Sequence, residues 1–157
     1  MNFIEKFIGS GFYSGYLYLS KNKKNSASGT IGSFFALLIY LIPGFENYYI
    51  IIPAIILFTF MGIPISTKFE KEYGKDPKEC TIDEVVGMWI SLLFLPKTPI
   101  VIILTFLIWR FFDIIKVYPA NYFDKNNGGI NIMLDDIISA IYTSIVMHIL
   151  LYLINIQ

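Results

Sequence analysis

The sequence predicts an all-α integral membrane protein: a compact bundle of about five transmembrane or partly spanning helices, with a short N-terminal interfacial helix. Hydrophobic residues make up 55% of the 157 residues, and the mean hydropathy is +0.61. They occur in long runs, which is typical of segments that contact lipid. Charged residues gather at the ends of these runs, because a charge at membrane depth costs about 2.5 to 3.5 kcal/mol. Since no internal repeat or low-complexity linker interrupts the pattern, residues 1–157 are predicted to form one membrane-embedded domain.

Five apolar segments are predicted to build the bundle. They run from about Thr30 to Ile42, Tyr48 to Ile65, Ile82 to Leu95, Pro99 to Ile115 and Asp135 to Ile156. The first and the third are shorter than the roughly 20 residues that a perpendicular span needs. We therefore expect these two segments to recruit polar flanking residues, to tilt, or to thin the bilayer locally.

The N-terminal segment lacks the continuous apolar stretch of a cleavable signal peptide, and we expect none. Phe3, Ile4, Phe7 and Ile8 would share one face of a helix. This pattern indicates an interfacial helix that lies on the membrane surface. A frayed amphipathic start is the alternative.

Positive charges predict the orientation of the bundle. Five crossings place the N-terminal region and the loops after the second and fourth segments on one side. Of the 12 Lys and Arg residues, only Lys97 lies opposite. The others are Lys6, Lys21, Lys23, Lys24, Lys68, Lys71, Lys75, Lys78, Arg110, Lys116 and Lys125. The positive-inside rule makes this side cytoplasmic and places the C-terminus outside.

Acidic residues follow the same distribution, because all of them except Glu46 fall on the predicted cytoplasmic side. Chemistry is therefore expected at one membrane face, where a lipid headgroup would lie. A transporter more often keeps polar groups near the middle of its helices. Zero net charge gives no reason to expect a nucleic-acid partner.

Two residues that often carry chemistry are predicted to be bystanders. Cys80 is the single cysteine, which excludes an internal disulfide. His148 is the single histidine. A helix rises about 1.5 Å per residue, so His148 would lie about 18 Å along the helix from Asp136. We predict a packed or hydrogen-bonded histidine, which leaves no obvious histidine for acid–base catalysis.

Small residues open the first membrane segment, over Ser28-Gly29-Thr30-Ile31-Gly32-Ser33. They would let backbone N–H groups approach an anion, which a helix N-terminus favours. The alternative is an ordinary N-cap with glycine flexibility.

Paired carboxylates lie at two predicted helix starts, Asp83-Glu84 and Asp135-Asp136. Acids are common in a first helical turn, so they could be simple helix starters. Carboxylate oxygens from several helix ends could instead share one Mg²⁺ ion. Gly87, one turn after Glu84, would let another helix pack closely.

Arg110, Asp113 and Lys116 are spaced three apart, so each neighbours the next on a helix surface. Arg110 and Lys116 could bind phosphate, with Asp113 orienting them or binding metal. A snorkelling stripe with an internal ion pair is the alternative.

Taken together, four motifs resemble the phosphatidylglycerophosphatase A family. They are Ser28-Gly29-Thr30-x-Gly32-Ser33, Asp83-Glu84-x-x-Gly87-Met88-Trp89, Arg110-x-x-Asp113-x-x-Lys116 and Gly128-Gly129-x-x-x-Met133-x-Asp135-Asp136. Each motif is weak alone, but the four in this order cover nearly the whole chain. Val117 departs from the family, in which we expect proline, and this should alter local stiffness rather than chemistry.

The resemblance implies a bacterial inner-membrane, Mg²⁺-dependent lipid phosphatase that converts phosphatidylglycerophosphate to phosphatidylglycerol and inorganic phosphate. The predicted metal ligands are Asp83, Glu84, Asp135 and Asp136, with Asp113 as a ligand or an orienting group. The predicted catalytic residues are Asp83, Glu84 and Asp136, of which Asp83 or Asp136 would accept a proton from the attacking water. The predicted phosphate-binding residues are Arg110, Lys116, Thr30 and Ser33.

Other functions remain open from the residues alone. Another lipid phosphomonoester is the nearest alternative substrate, since it would need the same chemistry. A non-enzymatic membrane scaffold or a small transporter is the alternative from a different class, and it would tolerate loss of the carboxylates. Small residues such as Gly87 and Ser139 could pack helices within one chain or between two, so a homodimer is possible.

Overall fold

The structure is a computed structural model in which residues 1–17 and 27–154 are described. Within those two ranges the chain forms eight helices and no strand, so the predicted all-α class is confirmed. In chain order they are α1 (Phe3–Gly9), α2 (Ser14–Leu17), α3 (Ser28–Tyr40), α4 (Tyr48–Tyr73), α5 (Ile82–Ser91), α6 (Pro99–Ile115), α7 (Ala120–Asp124) and α8 (Gly129–Leu153). Lys21, Lys23, Lys24 and the predicted end of the last segment at Ile156 lie outside the described residues.

The bounds of α6 match the prediction, whereas α4 extends further than the apolar pattern indicates. It continues beyond Ile65 to Tyr73, and Pro64 does not end it. The added turns are largely polar, so hydropathy could not reveal them. Contacts with α1 support them, including an ion pair of 2.6 Å between the Lys68 ammonium and Glu5 Oε1.

The start of α8 lies well before the predicted start at Asp135. Gly129 begins the helix and approaches α4 so closely that a Cβ atom there would overlap its backbone. Its N–H donates to Thr67 Oγ1 at 3.1 Å, and the Gly128 N–H donates to Glu70 Oε2 at 2.8 Å. The Asp135-Asp136 pair therefore lies beyond the first turn, and the alternative that these acids simply start the helix is wrong.

α5 is the interior helix of the bundle. It packs against α3, α4, α6 and α8, and Val85, Val86 and Met88 are fully buried. It ends at Ser91, before the predicted end at Leu95. Its 10 residues span about 15 Å, which is about half the thickness of the hydrocarbon layer.

Close packing around Gly87 joins α5 to α6. A Cβ atom at Gly87 would overlap the Trp109 ring, so the prediction that this glycine admits a neighbouring helix is confirmed. The Trp109 indole N–H in turn donates to Ser33 Oγ on α3 at 3.0 Å. The three helices that carry the first three motifs are thus locked together.

The two ends of the bundle differ in polarity, as the charge distribution predicts. At one end the loops after α3 and α5 meet, where the Lys97 ammonium lies 2.8 Å from Glu46 Oε2 and 3.1 Å from the Ile42 carbonyl oxygen. At the other end α3, α5 and α8 begin and α6 ends, which brings the charged motifs together. Among the described helices, α4 and α8 are long and apolar enough to cross a membrane.

Candidate active site

A cavity of about 620 Å³ opens at the charged end of the bundle. It brings together seven of the nine residues predicted to form a site. These seven are Thr30, Asp83, Glu84, Arg110, Asp113, Lys116 and Asp136. Since they come from four helices that are distant in the chain, the fold assembles one site from all four motifs.

Three carboxylates form the floor of this cavity. Asp83, Glu84 and Asp136 each offer an oxygen, and these oxygens lie within 4.8 Å of one another. Asp83 and Asp136 are 7% and 1% exposed. Asp83 Oδ1, Glu84 Oε2 and Asp136 Oδ2 are buried without a hydrogen-bond partner among the described residues. Buried carboxylate oxygens are costly without compensation, and such hard oxygen ligands fit a Mg²⁺ ion.

Gly29 at the start of α3 allows this floor to form. A Cβ atom there would overlap Glu84 Oε1 and would lie 3.3 Å from Arg110 Nη1. Only glycine leaves the two charged side chains room against the α3 backbone. The sequence suggested that small residues here admit an anion, and in the structure they admit Glu84 and Arg110.

Two cations lie beside the carboxylate floor. Arg110 forms an ion pair with Asp113 one turn further along α6. Arg110 Nε is buried and has no hydrogen-bond partner among the described residues, so a donor remains for a phosphate oxygen. The internal ion pair of the snorkelling alternative is present, and the Arg110 side chain is only 17% exposed.

Lys116 is held by carboxylates from two helices. Its ammonium lies 3.3 Å from Asp113 Oδ1, 2.6 Å from Asp135 Oδ2 and 2.7 Å from Asp136 Oδ1. Burial alone would lower the pKa of Lys116, but the neighbouring charges of Asp136, Asp135 and Asp113 offset it and raise that pKa well above its usual range.

Asp135 lies against Lys116 rather than in the carboxylate floor. Its Oδ2 accepts from Lys116, and its Oδ1 accepts from the Asp136 backbone N–H at 2.9 Å. Both oxygens are occupied, and Asp135 is absent from the lining of the large cavity among the described residues. Adjacent positions on a helix point in different directions, so only Asp136 belongs to the carboxylate floor. The metal-ligand role of Asp135 stays a prediction.

Ser33 is likewise not part of the cavity lining. It is fully buried, and its hydroxyl donates to the Gly29 carbonyl at 2.9 Å while accepting from the Trp109 indole. It lies one turn below the start of α3, so it supports the packing of α6. Thr30, by contrast, lines the cavity.

Four polar or charged residues that lie outside the four motifs also line the cavity: Asp76, Lys78, Asn121 and Asp124. The first two belong to the polar connection before α5. The last two belong to α7, which the apolar pattern could not reveal because it lies between membrane segments. In the sequence, each of these residues is only a polar residue near a motif. Such residues are too common to predict a site.

The two predicted bystanders lie where the sequence placed them. His148 Nδ1 is hydrogen-bonded to the Ser144 carbonyl at 2.7 Å on α8, away from the cavity. Cys80 is buried, with its Sγ 3.3 Å from Ser66 Oγ. Burial raises the pKa of the Cys80 thiol to about 12, so this thiol is unreactive at neutral pH.

Comparison with known proteins identifies the family of the chain. The sequence model of the family described as Phosphatidylglycerophosphatase A matches residues 7–151. A Bacteroides thetaiotaomicron protein named "Putative phosphatidylinositol-3-phosphatase" is 32% identical over 152 residues, covering 92% of this chain and 91% of the relative. No solved structure matches the chain.

Two relatives carry the family name itself. Phosphatidylglycerophosphatase A of Haemophilus influenzae is 32% identical over 145 residues, which cover 90% of this chain and 85% of that protein. Its Escherichia coli namesake is 29% identical over 123 residues, with coverages of 76% and 72%. The family match contains all four motifs of the cavity, and the chain thus belongs to the phosphatidylglycerophosphatase A family and is a phosphoric monoester hydrolase.

Proposed function

We propose that this protein is a Mg²⁺-dependent lipid phosphatase of glycerophospholipid biosynthesis. It hydrolyses phosphatidylglycerophosphate to phosphatidylglycerol and inorganic phosphate at the cytoplasmic face of a bacterial inner membrane. The observation that carries the proposal is the cavity in which the buried Asp83 and Asp136 and the half-buried Glu84 adjoin Arg110 and Lys116. The names of the relatives from Haemophilus influenzae and Escherichia coli support the choice of lipid.

Asp83, Glu84 and Asp136 would hold the Mg²⁺ ion. Their unpartnered oxygens support this assignment, and Mg²⁺ accepts a few carboxylates together with water and substrate phosphate. When bound, the ion supplies Lewis-acid polarisation of the phosphate and acidification of water. Asp113 serves as an orienting group, because its oxygens face Arg110 and Lys116.

The remaining residues divide the work of phosphoester hydrolysis. Arg110 and Lys116 neutralise the phosphate oxygens as negative charge develops, and Thr30 donates to one of them from the start of α3. Water attacks phosphorus while the bond to the glycerol oxygen breaks. Asp83 or Asp136 accepts the proton of the attacking water, and the departing glycerol oxygen takes up a proton to become a hydroxyl.

A multi-pass membrane location with the C-terminus outside is part of the proposal. α4 and α8 meet the length and apolarity of a span. Apolar side chains also face outward, such as Phe60 on α4 at 71% exposure and Leu107 on α6 at 57%. Such an outer surface suits lipid contact, and the cavity would then lie at the level of the headgroups.

A second substrate is favoured by the Bacteroides thetaiotaomicron relative, whose name specifies phosphatidylinositol 3-phosphate. The same carboxylates and cations would cleave its phosphomonoester. The two candidates differ in the polyol that carries the phosphate, so they are distinguished by measuring both lipids side by side.

The test is phosphate release by the purified protein in mixed micelles, with Mg²⁺ and then with EDTA. We expect release from phosphatidylglycerophosphate that requires Mg²⁺. Glu84→Gln and Asp83→Asn should lower the rate at least about 10²-fold, as loss of an electrostatic group at a reacting centre does. Glu46→Gln, at the opposite end of the bundle, is the matched control and should retain the full rate.

Two results would contradict the proposal. Release that persists in EDTA would remove the metal from the mechanism. Absence of release by the folded protein with Mg²⁺ present would move the substrate to another lipid phosphate, or would favour the scaffold and transporter alternatives.

A further inference from the structure

The cavity is larger than a phosphate group requires. Its volume of about 620 Å³ is space for roughly twenty water molecules at about 30 Å³ each. The buried carboxylates and Arg110 occupy only its inner part. The outer part therefore has room for the rest of a lipid headgroup.

The outer part is polar and half-exposed, unlike the buried floor. The side chains of Asp76 and Lys78 are 49% and 46% exposed, and their charged atoms lie 3.3 Å apart. An ion pair as exposed as this is weak, so the Lys78 ammonium can exchange its partner for an arriving anion. Arg110 and Lys116 are instead bound into the inner cluster by carboxylates.

The face of α7 that lines the cavity suits a polyol. Asn121 and Asp124 are three residues apart and therefore share one face of this helix. Both line the cavity. The Asn121 amide can donate and accept hydrogen bonds, and the Asp124 carboxylate can accept them. This pair can therefore bind the hydroxyl groups of a polyol both as donors and as acceptors.

An apolar edge completes the cavity. Ile114 and Ile115, at the end of α6, line it and are 70% and 53% exposed. They mark the side from which acyl chains would approach. A headgroup that enters past them would place its terminal phosphate at the floor and its lipid-proximal part in the outer region.

We propose that Lys78 binds the phosphodiester of the substrate, with Asn121 and Asp124 at the polyol and the phosphomonoester at the floor. The substrate class is then a polyol phosphomonoester that a phosphodiester joins to diacylglycerol. This inference rests on the proposed function. Phosphatidylglycerophosphate and phosphatidylinositol 3-phosphate share this chemistry, whereas phosphatidic acid has one phosphate and no polyol between it and the lipid.

The experiment compares these three lipids as substrates of the full chain in mixed micelles with Mg²⁺. For each polyol lipid, we take the ratio of its kcat/KM to the kcat/KM for phosphatidic acid. Lys78→Gln should lower this ratio by about five- to tenfold. A loss of this size is expected for a charge-assisted contact that is weakened by solvent exposure. The loss should lie in KM, and Lys78→Arg should restore the ratio. Lys125→Gln, which removes an exposed lysine next to α7, is the matched control and should leave the ratio unchanged.

An unchanged ratio in Lys78→Gln, or an equal fall with all three lipids, would overturn the inference. A wild-type protein that hydrolyses only phosphatidic acid would overturn it too. If no lipid is hydrolysed, the proposed function fails, but Lys78 can still be tested without turnover. In that case phosphatidylglycerophosphate in EDTA should raise the melting temperature of the wild type more than that of Lys78→Gln. Equal shifts would overturn the inference.

Discussion

Lys116 shows how one residue organises the charges of the site. It takes the left-handed conformation, with φ of 49°, at the end of α6, which is uncommon for a residue with a Cβ atom. The turn directs its ammonium to Asp135 and Asp136 on α8. A single lysine thus offsets carboxylate charge that would otherwise repel a phosphate.

The contrast between Asp135 and Asp136 leads to a prediction. Asp135→Asn should weaken the positioning of Lys116 and lower kcat by about 10- to 100-fold, as loss of a supporting contact does. The Mg²⁺ concentration for half-maximal activity should not change, because Asp135 has no free oxygen. Asp136→Asn should raise that concentration and lower kcat further. Phosphate release over a Mg²⁺ titration measures both quantities.

Glu46→Gln serves as the control for these variants, since it changes an acid at the other end of the bundle. An Asp135→Asn protein whose Mg²⁺ requirement rises as far as that of Asp136→Asn would contradict the prediction made for Asp135. It would return this residue to the set of metal ligands.

At the scale of helices, α5 positions the site by its packing rather than by its length. Trp109 of α6 lies against Gly87 of α5 and donates to Ser33 of α3. These contacts fix the start of α5, where Asp83 and Glu84 lie, relative to the cations of α6. The site is therefore sensitive to changes one turn away from it.

Gly87→Ala tests this packing. The added methyl group would overlap the Trp109 ring, and such overpacking costs about 1 to 3 kcal/mol. We expect a lower apparent melting temperature in detergent, measured by tryptophan fluorescence, together with a lower rate of phosphate release. Trp109→Phe removes the overlapping ring atoms and is the partner variant for a double-mutant cycle.

The cycle has a clear outcome. The double variant Gly87→Ala with Trp109→Phe should be more stable than the sum of the two single effects, because the phenyl ring makes room for the methyl group. Additive losses would mean that Gly87 and Trp109 do not contact each other in the way described.

At the scale of the whole molecule, membrane orientation is the property to test. The buried thiol of Cys80 gives a low background, since its pKa is raised to about 12 and little thiolate exists at neutral pH. A membrane-impermeant maleimide at pH 7 should therefore not label the wild-type protein from either side. It should label Cys80 only after unfolding.

Cysteine substitutions at the two ends then report the orientation. Glu46→Cys should be labelled in intact cells, because the positive-inside rule places this loop outside. Lys125→Cys should be labelled only in inverted vesicles or permeabilised cells. Labelling of both positions from the same side would contradict the multi-pass arrangement. Labelling in the opposite order would place the cavity outside the cytoplasm.

Some features were predictable because they depend on local chemistry. Hydropathy and Pro99 set the bounds of α6, and the spacing of Arg110 and Asp113 placed them on one helical face. Lys116 instead follows the helix in the left-handed conformation. The start of α8 was not predictable in the same way. Gly129 is a poor helix former taken alone, and it is helical because it fits against α4.

The sequence by itself determined the all-α class, the family and the end of the bundle at which charge collects. These follow from composition, periodicity and motif order, all of which are properties of the chain. The tertiary structure decided which carboxylates share the floor and which are bound by Lys116. It also brought Lys78 and α7 to the cavity. The physical reason is that these relations are distances between helices, which depend on glycine contacts and a left-handed turn rather than on local sequence pattern.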